Sequence, residues 1–194
     1  DIGCNSGSLI FNLRRHSYNQ VYGIDTSQSA INRGKEQYGE LRENLIWYEG
    51  DLLPFQDNRF DVVMMFDVIE HIKNVQKFLS DEVWRVLKPD GIFIFQTPNK
   101  LTNVPWEIIS TKSLTGYKAY HVSLQTYKSL YRLLCCAGYK NIVIEKNDVT
   151  SDYYLRQIQP YLGPLSNVAL LILDRMPIIL TTNFWGHCTK PSKN

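Results

Sequence analysis

A chain of 194 residues with 44% hydrophobic and 21% charged side chains has the size and apolar content of one globular domain that buries its own core. Ordinary numbers of glycine (11) and proline (8) exclude a collagen-like or disordered chain. The formal charge of +2 is too small for a protein built to hold a nucleic-acid backbone, so no nucleic-acid partner is expected.

Asp1-Ile2-Gly3 reads as a strand running into a loop. No methionine and no apolar strand precede it, so the chain reads as an N-terminally truncated fragment that lacks its first strand. A helix follows at residues 9–13. Residues 21–25 are a short apolar run closing on an acid, and Ser27 offers an oxygen to cap a helix carrying Ala30, Ile31 and Tyr38. Residues 44–49 form a second strand, stopped by Gly50-Asp51. Residues 60–66 are nearly continuous apolar, the pattern of a strand covered on both faces. Val75, Phe78, Leu79, Val83, Val86 and Leu87 recur at helical spacing, the turn Lys88-Pro89-Asp90-Gly91 follows, and residues 92–95 are another buried strand.

Residues 98–122 show no clean period and carry Trp106, Tyr117, Tyr120 and His121. Thr126 caps a helix with Leu130, Leu133, Leu134 and Ala137, ended by Gly138; then come a strand at 142–144, a helix near 165–173 and a last strand within 178–188. Strands alternating with helices predict one α/β domain over 1–194, with a twisted, mostly parallel sheet and ligands at the carboxyl ends of its strands. The longest apolar run, 168–180, is broken by Asp174, Arg175 and Pro177, and falls short of the about 20 residues of a membrane span. Cys4, the neighbours Cys135 and Cys136, and Cys188 have no metal-site spacing, so a reducing cytoplasm is the expected location.

Four motifs carry chemistry. In Asp1-Ile2-Gly3-Cys4-Asn5-Ser6-Gly7, small residues let the backbone approach a ligand, and the acid in front suits a cationic amino-acid group; the other reading is an ordinary strand–helix turn. Asp25 stands where a carboxylate accepts both hydroxyls of a ribose, or where an acid complements a helix dipole. Gly50-Asp51-Leu52 suits an exocyclic amine such as that of adenine, or is a plain turn. The fourth motif runs from Phe60-Asp61-Val62-Val63 to Phe66-Asp67-Val68-Ile69-Glu70-His71, followed by Val86-Leu87-Lys88-Pro89-Asp90-Gly91.

In this order the motifs resemble the class I S-adenosylmethionine-dependent methyltransferases, and most the small-molecule branch that includes the ubiquinone-biosynthesis O-methyltransferases. His121 ahead of Thr126, and Gly138-Tyr139 after the helix, fit that branch. Asn5 replaces the usual glycine, and tolerates left-handed geometry next best; Asp90 replaces another glycine without harm. The resemblance implies a Rossmann-like doubly wound sheet with a last antiparallel strand, S-adenosylmethionine as cofactor, and a methyl-transferring enzyme with a small-molecule substrate.

By position, Asp1, Gly3, Cys4, Asn5 and Gly7 would form the loop around the methionine part. Asp25 and Thr26 would hold the ribose, Asp51 and Leu52 would flank the adenine, and Phe66 would close the pocket. Residues 98–122 would cover the substrate. A hydroxyl acceptor has to lose a proton, and His71 and His121 are the candidate bases; the plainer reading is that each braces a loop.

Asp67, Glu70 and His71, joined by His121, also look similar to the metal site of the small-RNA 3′-terminal 2′-O-methyltransferases. Those use Glu where this chain has Asp67, and the Glu-His pair also opens a helix in relatives without metal, so the expectation is no metal. A non-catalytic methyltransferase-fold module is the alternative. A nicotinamide oxidoreductase would need G-x-G-x-x-G, which is absent.

Overall fold

The computed structural model describes residues 1–146 and 152–192. Helix α1 (Ser8–Arg15) starts behind Gly7 and leads to strand β1 (Gly23–Asp25). Helix α2 (Gln28–Gln37) is capped by the Ser27 hydroxyl, which accepts from Ala30 N, and buries Ala30 and Ile31. Strand β2 (Leu45–Trp47) and strand β3 (Phe60–Phe66) follow.

Helix α3 runs through Val75–Lys77, a π-helical stretch Phe78–Val83, and Trp84–Val86, placing Val75, Phe78, Leu79, Val83 and Val86 in the core. Strand β4 (Leu87–Pro98), helix α4 (Lys100–Thr111), helix α5 (Tyr127–Cys136), strand β5 (Lys140–Lys146), helices α6 (Asp152–Leu162) and α7 (Ser166–Arg175) and strand β6 (Asn183–Thr189) complete the order.

Strands β1 and β2 pair in parallel, and β3-β4-β6-β5 form a second group in which β6 alone runs antiparallel to its neighbours. Among the described residues, one joins the two groups: Ile2 bridges Ile24 on one side and Met65 on the other, both parallel. Its N–H donates to Met64 O at 2.9 Å, and Ile24 N donates to Asp1 O at 2.9 Å. The expected mixed sheet is therefore present, and the Asp1-Ile2-Gly3 loop leaves from its middle.

Toward the amino ends of the strands, β1 and β3 stand apart around a cavity of 640 Å³ lined by Tyr22, Phe55, Phe60, Val62 and Met64 among others. Val62 is exposed there, so β3 is not covered on both faces as its apolar run predicts; Val63 and Met65 carry its buried side instead. Phe93 and Phe95 of β4, Phe184 of β6, and Leu130 and Leu134 of α5 complete that core, held with α3 by burial of apolar surface.

Residues 98–122 differ from the expectation of an irregular stretch. Asn99 accepts from Leu101 N and starts α4, despite Pro105 inside it. No residue of α4 is fully buried, and Pro105 interrupts the spacing of Leu101, Val104 and Ile108 that periodicity would read as a helix.

Candidate functional site

At the carboxyl ends of the strands lies a cavity of 870 Å³. Its volume falls in the range of small-molecule sites, about 300–1,000 Å³. Gly3, Asn5, Asp25, Thr26, Asp51, Leu52, Asp67 and His71 stand in its wall, together with Tyr48 and Glu82. Asp25 and Asp51, on loops after different strands, thus face one space. The wall holds six carboxylates (Asp25, Glu49, Asp51, Asp67, Asp81, Glu82) against the ammonium groups of Lys73 and Lys77, a balance that suits a ligand carrying positive charge.

The loop geometry follows from its sequence. Gly3 has φ +80°, and a Cβ there would meet Val68 Cγ2 at 2.2 Å. Asn5 occupies the left-handed region at φ 50°, the tolerance its residue type predicts. Asn5 N–H then donates to Asp25 Oδ2 at 2.8 Å, and Ser27 N–H donates to Asp25 Oδ1 at 2.8 Å. Two of the about four acceptor positions of the Asp25 carboxylate are used, leaving the rest for a ligand. Burial and the Asp25 carboxylate push the Tyr48 phenol up to about 12, so it stays a neutral donor.

Replacing Gly3 by alanine forces a side chain both into positive φ and onto Val68. A loss of about 2–3 kcal/mol in urea unfolding is expected, and cofactor binding should fail with it.

Other predicted residues lie elsewhere. Asp1 lines the 640 Å³ cavity at the amino ends of the strands. Cys4 is buried beside Ile10 and Ile31, and burial drives its thiol up to about 12, so it is an unreactive packing residue here. Gly7, at φ 80°, is the start of α1, with Leu45 where a Cβ would stand. The Phe66 ring packs on Trp185 with centroids 5.5 Å apart. These four are absent from the wall of the 870 Å³ cavity.

At the far end of that cavity the turn Ile69–His71 meets the segment that contains α4. Tyr120 O accepts from His71 Nδ1 at 2.7 Å, and Ser123 N donates to Glu70 O at 2.9 Å. The rings of His71 and His121 are 5.0 Å apart. Glu70 is buried, and its Oε2 accepts from Thr97 Oγ1 at 2.9 Å. Burial raises the pKa of Glu70, and burial likewise raises that of Asp67. Glu107 of α4 places Oε1 2.6 Å from His121 Nδ1, off the line of a hydrogen bond.

A clamp invisible to motif reading holds the loop after β2. Glu82 Oε2 accepts from Leu53 N and from Arg85 Nη2, each at 2.7 Å. Arg85 also donates to the carbonyls of Leu53 and Phe55 and to Asp57. Leu53 directly follows Asp51 and Leu52, so the clamp sets their position. The available signal was an acid and an arginine three residues apart on a helix, which on its own reads as a surface pair.

Residues 1–95 match the model of the methyltransferase domain family. A ubiquinone biosynthesis O-methyltransferase of Rickettsia bellii is 35% identical over 101 residues, 52% of this chain and 41% of that protein. A protein of Mycolicibacterium smegmatis named "probable S-adenosylmethionine-dependent methyltransferase" is 34% identical over 145 residues, 72% of this chain and 51% of that one. The chain thus spans about half the length, or less, of these relatives.

Among solved structures, Haemonchus contortus phosphoethanolamine N-methyltransferase 2 in complex with S-adenosyl-L-methionine superposes with a TM-score of 0.69. It is 20% identical and covers 99% of this chain and 48% of its own, a likeness of fold. No helix of the described residues is long and apolar enough to cross a membrane. The matched domain, the relatives and the shared fold agree: residues 1–95 are a methyltransferase domain similar to those of S-adenosylmethionine-dependent enzymes, on the Rossmann-like methyltransferase fold.

Proposed function

We propose that the chain transfers a methyl group from S-adenosylmethionine to a hydroxyl oxygen of a small molecule. The observation that carries this reading is the acidic 870 Å³ cavity, which sets Asp25 and Asp51 on one wall and His71 beyond them. In this reading Asp25 and Thr26 hold the ribose, Asp51 and Leu52 the adenine, and the backbone of Gly3 and Asn5 the amino-acid end. When bound, the cofactor supplies an electrophilic methyl on a sulfonium centre.

The protein's part is to position and to ease deprotonation. Fixing the acceptor oxygen against the cofactor replaces a costly encounter. His71 and His121 stand at the acceptor end, and draw the hydroxyl proton away from the oxygen that attacks. Residues 98–122 cover that end; the hydrogen bond from His71 Nδ1 to Tyr120 O supports this role. The hydroxyl acceptor is favoured by the Rickettsia bellii relative, an O-methyltransferase by name.

The test is calorimetric titration with S-adenosylmethionine and S-adenosylhomocysteine, followed by radiolabelled methyl transfer to a panel of phenols, amines and thiols. Label moving to phenols is the expected result. Label moving only to amines or thiols would discard the oxygen acceptor. Binding without transfer to any acceptor would favour a non-catalytic module, and absence of binding would end the reading.

A further inference from the structure

We propose that helices α4 and α7, with residues 178–180, form a surface that docks on an anionic lipid bilayer. This surface is independent of the methyl-transfer reading: it stands on where the apolar and the charged side chains are placed.

Residues 168–173 of α7 are six apolar side chains in succession, so they point to every side of the helix. The domain takes one side, where Ser166 and Leu170 are buried. Leu165, Val168 and Ile172, at helical spacing, lie on the other and are 66%, 52% and 53% exposed. A helix of 10 residues is about 15 Å long, half the thickness of a hydrocarbon core, so α7 is too short to span a bilayer and long enough to lie along its surface.

Adjoining elements add to the apolar surface. Helix α4 leaves Leu101 and Ile109 exposed, and Ile179 is half exposed. Asn99, at the start of α4, donates from Nδ2 to Ile179 O at 2.9 Å. Trp106 of α4 packs edge-on against Tyr161 of α6, with ring centroids 5.5 Å apart, and α6 packs on α7. Exposed apolar side chains gathered on neighbouring elements mark a docking site, whereas scattered single ones are ordinary.

The charges identify the partner. Among the described residues of 100–122 and 155–182, the exposed charged side chains are Lys100, Lys112, Lys118, Arg156 and Arg175, all cationic. The two acids there, Glu107 and Asp174, are half-buried. Lys100 opens α4, Lys112 follows it and Arg175 closes α7, so cations stand at the ends of the apolar helices. Such side chains lay their stems along apolar surface and keep their heads in water, which places them among anionic headgroups while leucine and isoleucine enter the acyl boundary. A second copy of the chain would bring the same cations to a symmetric contact, where they repel.

The experiment measures flotation of the unmodified chain with vesicles, comparing phosphatidylcholine alone with phosphatidylcholine carrying about one-third phosphatidylglycerol. The expected result is binding to the anionic vesicles that is about tenfold or more tighter than to the neutral ones and that weakens with added salt. Val168→Ser with Ile172→Ser should weaken it by about tenfold or more. Lys112→Gln with Arg175→Gln, which leaves the apolar side chains in place, should weaken it by about 10–30-fold. All four positions are exposed, so urea midpoints should stay close to that of the unmodified chain. No binding to anionic vesicles, equal binding to both compositions, or binding unchanged in either double variant overturns the proposal. A dimer in sedimentation equilibrium that is lost in Val168→Ser with Ile172→Ser, without vesicle binding, assigns the surface to a second copy and overturns it too.

Discussion

Asp25→Ala is expected to weaken S-adenosylmethionine binding by on the order of 10²–10³-fold, since each hydrogen bond from a ribose hydroxyl to a carboxylate contributes about 1.5–3 kcal/mol. The same change frees Asn5 N–H and Ser27 N–H, which both donate to this carboxylate, so the glycine loop loses its tie to β1. Asp25→Asn keeps one side-chain oxygen and should lose less, about tenfold. Calorimetry on the three proteins checks the order. Equal affinity of all three would show that Asp25 serves the helix start and holds no ligand. Because Asp25 is only half-buried, unfolding midpoints should move far less than affinities do.

Glu82→Ala is expected to cost about 3–4 kcal/mol of folding stability, because it leaves the Arg85 guanidinium without its nearest counter-charge and Leu53 N–H without an acceptor. The loss should also reach the cofactor, as Asp51 and Leu52 hang from the same loop. Weaker binding in a variant whose folded state is fully populated would demonstrate this.

The pH dependence has a definite sign. Hydrogen bonding to Arg85 holds the Glu82 carboxyl below its ordinary value. The stabilisation is therefore complete above the ordinary carboxylate range, near pH 4.3, and is lost as pH falls through the depressed folded value. The stability gap between the native chain and Glu82→Gln, measured by urea unfolding, should shrink as the pH is lowered below that point. A gap that is constant from pH 7 into acid would show that the charge of Glu82 contributes nothing.

Much of the lining of the 870 Å³ cavity was legible from local chemistry. A glycine forced to positive φ, an asparagine tolerant of it, and acids closing two strands are short-range signals, and the chain puts Gly3, Asn5, Asp25 and Asp51 around one space. Positions inside the same motif parted company for a reason motifs do not encode. Cys4 and Phe66 turn toward apolar neighbours, because the direction of a side chain is settled by what it can bury.

The sequence by itself determined the succession of strands and helices, the caps at Ser27 and Thr126, and the loop that opens at Gly3, because propensity, capping and hydrophobic period act within a few residues. Only the tertiary structure decided that Ile2 would join the two groups of strands, that Glu82 and Arg85 would clamp a loop about 30 residues earlier, and that His71 would meet the carbonyl of Tyr120, 49 residues on. These are contacts between segments whose local patterns are independent of each other. They come into being when burial of the shared core brings those segments together.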